Sequence, residues 1–241
     1  MDRTRFLDLL AAESEALASA ASAAGPDAAV PSCPGWTVAD LLAHCIGGDG
    51  WARAIVEQDE PTRVDYVTPP DLPEGEARVA QFRDTARGLL DTLRATDPAK
   101  SVWTFGPDRT TTFWIRRRTI ETAIHRYDAQ LAAGRTVPVD ADLAADGVDE
   151  FFEVFLKRLQ EGLAGLGGTV HLHCTDTAGE WLLAPGDAGL VVTREHAKGD
   201  VAARGTASDL LLWIWGRVPV GSLEVFGDAA LLDRFRAATR I

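Results

Sequence analysis

"RRRTIETAIHRYDAQLAAG", residues 116–134, decides how the first half of the chain is read. Ile120, Ala123, Ile124, Tyr127 and Leu131 recur at helical spacing, and Gly134 supplies a C-terminal stop. The spacing predicts a helix over about 112–134. Glu121 and His125 are four residues apart, so they share one face of that helix, a turn apart. Such a pair is either two ligands of one metal ion or a water-facing polar pair. Ile124 and Tyr127 each lie one step from the Glu/His line, which sets that line at the border of a core. A carboxylate half-buried there costs free energy unless a cation pairs with it.

Working upstream, Phe6, Leu9, Leu10, Leu17 and Ala21 form one stripe of a first helix over about 3–24. "GPDAAVPSCPGW", residues 25–36, breaks the pattern with three prolines. "TVADLLAHCIGGDGWARAIVEQ" follows as a second helix. Thr37 and Asp40 have capping-box spacing, with Asp in place of Glu. Gly47, Gly48 and Gly50 make its middle a poor helix former, so a bend or a close contact is expected there. His44 lies one turn after Asp40, beside Leu41, Leu42 and Ile46. It is either a satisfied core histidine or a third ligand for Glu121 and His125. A Pro-rich loop spans 60–72. A third helix over about 74–96 turns Val79, Phe82, Ala86, Leu89, Leu90 and Leu93 inward, and a fifth covers about 141–164.

After "GLGG" (165–168) the period changes to two. Val170, Leu172 and Cys174 alternate with His171, His173 and Thr175, as in a half-buried strand. "EWLLAP", "GLVVTRE", "DVAARGT" and "SLEVFGD" read as further strands. "ASDLLLWIWGRV" and "AALLDRFRAATRI" read as helices. Helices first, then a mostly antiparallel sheet with two helices, imply an α+β chain of two domains: a helical bundle over 1–165 and a smaller α+β domain over 166–241. His171 and His173 share a strand face, with His196 a speculative third partner. A solvent-facing or interdomain pair is the simpler reading.

The formal net charge of −12 argues against a nucleic-acid partner, and Arg116–Arg118 is too short a basic run to reverse it. No apolar run approaches the roughly 20 residues that a spanning helix needs. Asp2, Asp8, Glu13 and Glu15 interrupt any export-signal core at the N-terminus. Cys33, Cys45 and Cys174 are odd in number and contain no CxxC, which fits a reducing cytoplasm. Monomer and homodimer stay open.

Two segments together resemble a known family. "PSCPGWTVADLLAHCIGG" (31–48) and "RRRTIETAIHRYDAQLAAG" look like the hallmark segments of the mycothiol-dependent maleylpyruvate isomerases, within the DinB-like superfamily. "VHLHCTDTAGEWLL", "SDLLLWIWGR" and "LEVFGD" look like that family's second domain, which is related to sterol-carrier-protein folds. The resemblance implies a four-helix bundle that binds a divalent metal, usually Zn2+, through His44, Glu121 and His125. It implies mycothiol or a related small thiol as cosubstrate, and a small electrophile as substrate. In an isomerase the thiolate adds to a cis double bond, permits rotation and leaves; in an S-transferase it stays attached. Around the ligands, Asp128 is placed to hold the free ring N–H of His125. Asp40 either does the same for His44 or only caps its helix. Arg118 and Arg126 are candidates to recognise a carboxylate of substrate or thiol. Ile120 departs from the family, whose members often carry a histidine there. The rival reading is a non-enzymatic protein that binds a metal or an apolar ligand.

Overall fold

The computed structural model describes residues 1–67, 69, 71–163, 165–186 and 189–240. Ala164 and Ile241, the last residues of two expected helices, and Thr68 and Pro70 of the expected loop lie outside that set. The chain divides into two compact units, Met1–Val137 and Pro138–Ile241.

The first unit holds α1 (Arg3–Ala24), α2 (Val38–Val56), α3 (Glu76–Ala95) and α4 (Thr111–Ala132). α1 packs on α3 and α4, and α2 packs on the same two, so the four close into a bundle. α1 and α2 each start on a side-chain cap. Asp2 accepts from the Arg5 amide at 2.8 Å. Thr37 and Asp40 form the reciprocal capping box at the start of α2. Gly134, at φ +72°, receives the chain as it leaves α4. The six apolar residues expected to face inward from α3 are all buried. A core of Leu17, Val30, Leu41, Leu42, Ile46 and Phe82 ties α1, α2 and α3 together.

α2 stays helical through its glycines. The expected irregularity resolves as close contact: a Cβ on Gly48 would lie 2.6 Å from Arg118 Nη1, and one on Gly47 would lie 2.5 Å from the Tyr66 hydroxyl. The helix gives up intrinsic propensity so that an α4 guanidinium can rest against its backbone.

In the second unit, α5 (Ala141–Glu150) and α6 (Leu156–Leu163) are joined without a break by a π-helical turn, Phe151–Phe155. The helix expected to end the bundle thus falls in the second unit, where α5 packs on α7 (Ala207–Ile214). A five-stranded sheet runs β3 (Gly189–Thr193), β2 (Glu180–Gly186), β1 (Val170–Cys174), β4 (Val201–Gly205), β5 (Glu224–Gly227). Only the β1–β4 pair is parallel among the described strands. Val170, Leu172, Trp181, Leu183, Val201 and Ala203 are buried in the register that period-two reading requires. α7 packs on β1 and β4, and α8 (Ala229–Ala238) packs on β4. No helix among the described residues is long and apolar enough to cross a membrane.

Candidate metal centre

α2 and α4 are neighbours in the bundle, and the middle of each faces the other. That apposition brings His44 to Glu121 and His125. His44 Nε2 lies 3.2 Å from Glu121 Oε1, and His125 Nε2 lies 3.9 Å from the same oxygen. One ligand atom from each residue falls within 4.8 Å of the other two. The imidazole rings of His44 and His125 meet edge to face with centroids 5.0 Å apart. Two imidazoles and a carboxylate converging on one point suit a borderline divalent ion and leave positions open to other ligands.

The surroundings orient these groups. The buried Asp128 carboxylate accepts from His125 Nδ1 at 2.9 Å, so the His125 lone pair sits on Nε2, facing Glu121. Asp128 is itself held from the loop before α2: the Ser32 hydroxyl donates to it at 2.6 Å and the Cys33 thiol at 3.7 Å. On the other side, Arg118 Nη1 donates to Glu121 Oε2 at 2.6 Å and Arg118 Nε donates to Asp49 at 3.0 Å. Arg117 Nε reaches Glu121 Oε2 at 3.4 Å. Glu121 Oε2 is therefore occupied by guanidiniums while Oε1 faces the imidazoles.

The charges follow from this packing. Burial pushes the Glu121 carboxyl up, but Arg118 and Arg117 outweigh it and hold it well below the usual carboxylate range. Burial lowers His125 below the ordinary imidazole value against the pull of Asp128, which keeps it in the neutral, ligating form. Burial raises the Asp49 carboxyl, with the Arg118 charge opposing it. Burial also acts against the charge on Arg118, but its two carboxylate partners more than compensate.

Of the other sequence candidates, Asp40 closes the capping box, with its Oδ2 bonded to the Thr37 amide and hydroxyl. Arg126 donates to Glu13 at 2.6 Å and to Gln130 at 2.8 Å. Arg118 is held between two carboxylates of the protein itself, so here it positions Glu121. Sequence reasoning missed Trp36, whose ring lies 5.2 Å from that of His44, and also missed Asp49, Ser32 and Cys33 as partners of the site. Asp49 had a readable signal: it is the only acidic residue between Leu41 and Ala52, and such a residue on a buried helix needs a cation.

Two family models match the chain in order. One described as "Mycothiol maleylpyruvate isomerase N-terminal domain" covers residues 7–130, and one described as "MDMPI C-terminal domain" covers 142–234. No curated protein matches. Among solved structures, one described as a mutant of the mycothiol-dependent maleylpyruvate isomerase is 13% identical, with a TM-score of 0.62. Another, described as that isomerase, is 15% identical, with a TM-score of 0.60. Each match covers 93% of this chain and 93% of the other. At such identities the likeness to these structures is one of fold. The first family model alone spans more than half of the chain and contains His44, Glu121 and His125, so the chain belongs to the mycothiol-dependent maleylpyruvate isomerase family.

Proposed function

We propose that this protein is a metal-dependent, thiol-using enzyme whose centre is formed by His44, Glu121 and His125, with Zn2+ as the ion the donor set suits best. The carrying observation is the convergence of His44 Nε2, Glu121 Oε1 and His125 Nε2, with every other polar atom of Glu121 and His125 already engaged by the protein. When bound, such an ion supplies a position at which a thiol ionises near neutral pH. The thiol cosubstrate is mycothiol or a close relative, and the reaction is an isomerisation of the maleylpyruvate type or an S-transfer to a small electrophile. The family supports the thiol and the isomerase chemistry.

The residues divide the work. Asp128 fixes the His125 tautomer and ring angle, and ties them to the 25–36 loop through Ser32. Arg118 holds Glu121 ionised and turned toward the imidazoles. Trp36 walls the His44 side with an apolar face. The cysteine pattern supports a reducing cytoplasm as its setting, and the partners on this reading are a small thiol and a small electrophile.

The test measures bound metal and mycothiol-dependent conversion of maleylpyruvate in the intact protein and in Glu121→Ala and His125→Ala. Both variants lose the equivalent of metal held by the bundle cluster, and turnover with it, on this reading. Unchanged metal content and turnover would refute it. Intact metal binding with no thiol-dependent turnover of any electrophile would leave a binding protein instead.

A further inference from the structure

We propose that the second unit carries its own divalent-cation site, formed by His171, His173, Glu180 and His196 and distinct from the bundle centre. The sheet prepares three of the four ligands. His171 and His173 are two apart on β1 and share a face. Glu180 on β2 stands directly opposite His173 in the antiparallel register, so its carboxylate rises on that face too. His196 comes from the seven-residue connection between β3 and β4 and completes the group.

All four side chains offer ligand atoms within 4.8 Å of one another. His196 Nδ1 and His173 Nδ1 each lie 2.8 Å from a different oxygen of Glu180, and His171 Nε2 lies 3.6 Å from Oε2. The three ring centroids are 5.8 to 6.1 Å apart. Tetrahedral zinc at about 2.0–2.1 Å from nitrogen sets ligand atoms roughly 3.3 Å apart, so modest side-chain rotation closes the set.

The second, independent observation is unsatisfied polarity. His171 is only 6% exposed, and its Nε2 has no hydrogen-bond partner. His173 Nδ1 is also buried without one: it is near Glu180 in distance but not in hydrogen-bonding direction. Buried imidazole nitrogens left in this way cost stability. Glu180 makes a directed bond with His196 alone, whereas one cation accepts a lone pair from each imidazole. The nearest cation in the register, Arg204 opposite His173 on β4, pairs with Glu224 at 3.9 Å. Three imidazoles and a carboxylate select Zn2+ over Mg2+ or Ca2+, and Co2+ fits as its spectroscopic stand-in. Four protein ligands make a closed site of the structural kind. Its effect is to pin the 194–200 connection, whose His196 side chain is otherwise 81% exposed, onto the sheet.

The test uses the full chain without an affinity tag, stripped of metal, then titrated with Zn2+ against a chromophoric chelator. The background is the triple variant His44→Ala, Glu121→Ala, His125→Ala, which disables the bundle cluster. That background should still bind one equivalent, and Co2+ in it should give the intense visible bands of a four-coordinate site. His196→Ala, at an exposed position that cannot compromise the fold, should weaken binding at least tenfold and abolish those bands. Zn2+ should slow proteolysis within 194–200 in the background and not in His196→Ala. Failure of the background to bind Zn2+ at micromolar free ion would overturn the proposal. So would binding that is indifferent to both His196→Ala and His173→Ala.

Discussion

Gly48→Ala tests whether the glycines of α2 exist to seat Arg118. From propensity alone, a mid-helix Gly→Ala exchange stabilises by about 1 kcal/mol. The structure reverses that sign. The added Cβ would meet Arg118 Nη1 at 2.6 Å, with Cζ and Nη2 at 3.1 Å. The guanidinium cannot yield cheaply, because it bridges Asp49 and Glu121 and its side chain is only 3% exposed. Displacing it breaks a buried ion-pair network, which costs about 3–5 kcal/mol. Net destabilisation of the first unit is then about 2–4 kcal/mol, the difference between those two terms. With a urea slope of about 2 kcal/mol/M, the unfolding transition assigned to this unit should move down by roughly 1–2 M. Gly50→Ala is the internal control, since nothing lies within 4 Å of its Cβ position. It should move the midpoint up by the propensity gain. Far-UV circular dichroism along a urea series, with chelator present throughout, reads both. Stabilisation by Gly48→Ala equal to that of Gly50→Ala, with unchanged metal affinity, would refute the steric argument and the role given to Arg118.

Three further outcomes are expected. Asp128→Asn should lower metal affinity by about 10–100-fold with little change in helicity, measured by chelator competition, because it loosens the His125 tautomer and orientation; unchanged affinity would remove Asp128 from the site. Asp40→Ala should cost about 0.3–1 kcal/mol, from the lost capping-box bonds to Thr37 and the lost negative charge in the first turn, and leave metal affinity alone; a tenfold loss of affinity would instead make Asp40 a positioning residue for His44. Burial pushes the Cys174 thiol up to about 12 and Cys45 well above its usual range. Only about 10⁻⁴ of Cys174 is then thiolate at pH 8, and that fraction rises with pH. Both cysteines should react with a thiol reagent over a hundredfold more slowly in the native chain than in urea, and stoichiometric labelling within minutes would contradict this.

α1 and α3 were legible because each buries one stripe at a 3.6-residue period: α3 lies within two residues of its expected ends, with all six expected residues inward. β1 was legible because apolar residues alternate along its sequence; β2 alternates in burial, whereas on β1 the buried His171 breaks the alternation. The assignment of residues 141–163 to one unit was not legible, because an amphipathic helix does not say which apolar surface will cover it. Glu121 and His125 could be paired from spacing, since a helix makes their proximity a local property. Ser32 and Asp49 could not be paired with Asp128 and Arg118, because no spacing rule crosses the 96 and 69 residues between them; Trp36 reaches His44 from an irregular loop, which has no period to read. Glu180 beside His173 was hidden because it depends on strand register.

The charge balance of the bundle centre links its parts. The site holds three carboxylates, Glu121, Asp49 and Asp128, against two guanidiniums, Arg117 and Arg118. Asp49 and Asp128 are at most 1% exposed, so each depends on the protein for its counter-charge or hydrogen bonds. On the proposed function, a dication at His44, Glu121 and His125 meets one carboxylate ligand and keeps a positive charge that attracts a monoanionic thiolate. A carboxylate in place of His44 would leave the complete assembly negative and disfavour the thiolate. Arginine suits position 118 because a flat guanidinium can serve two carboxylates at once from the groove that Gly48 leaves open, which a lysine ammonium on a single stem cannot do in the same geometry.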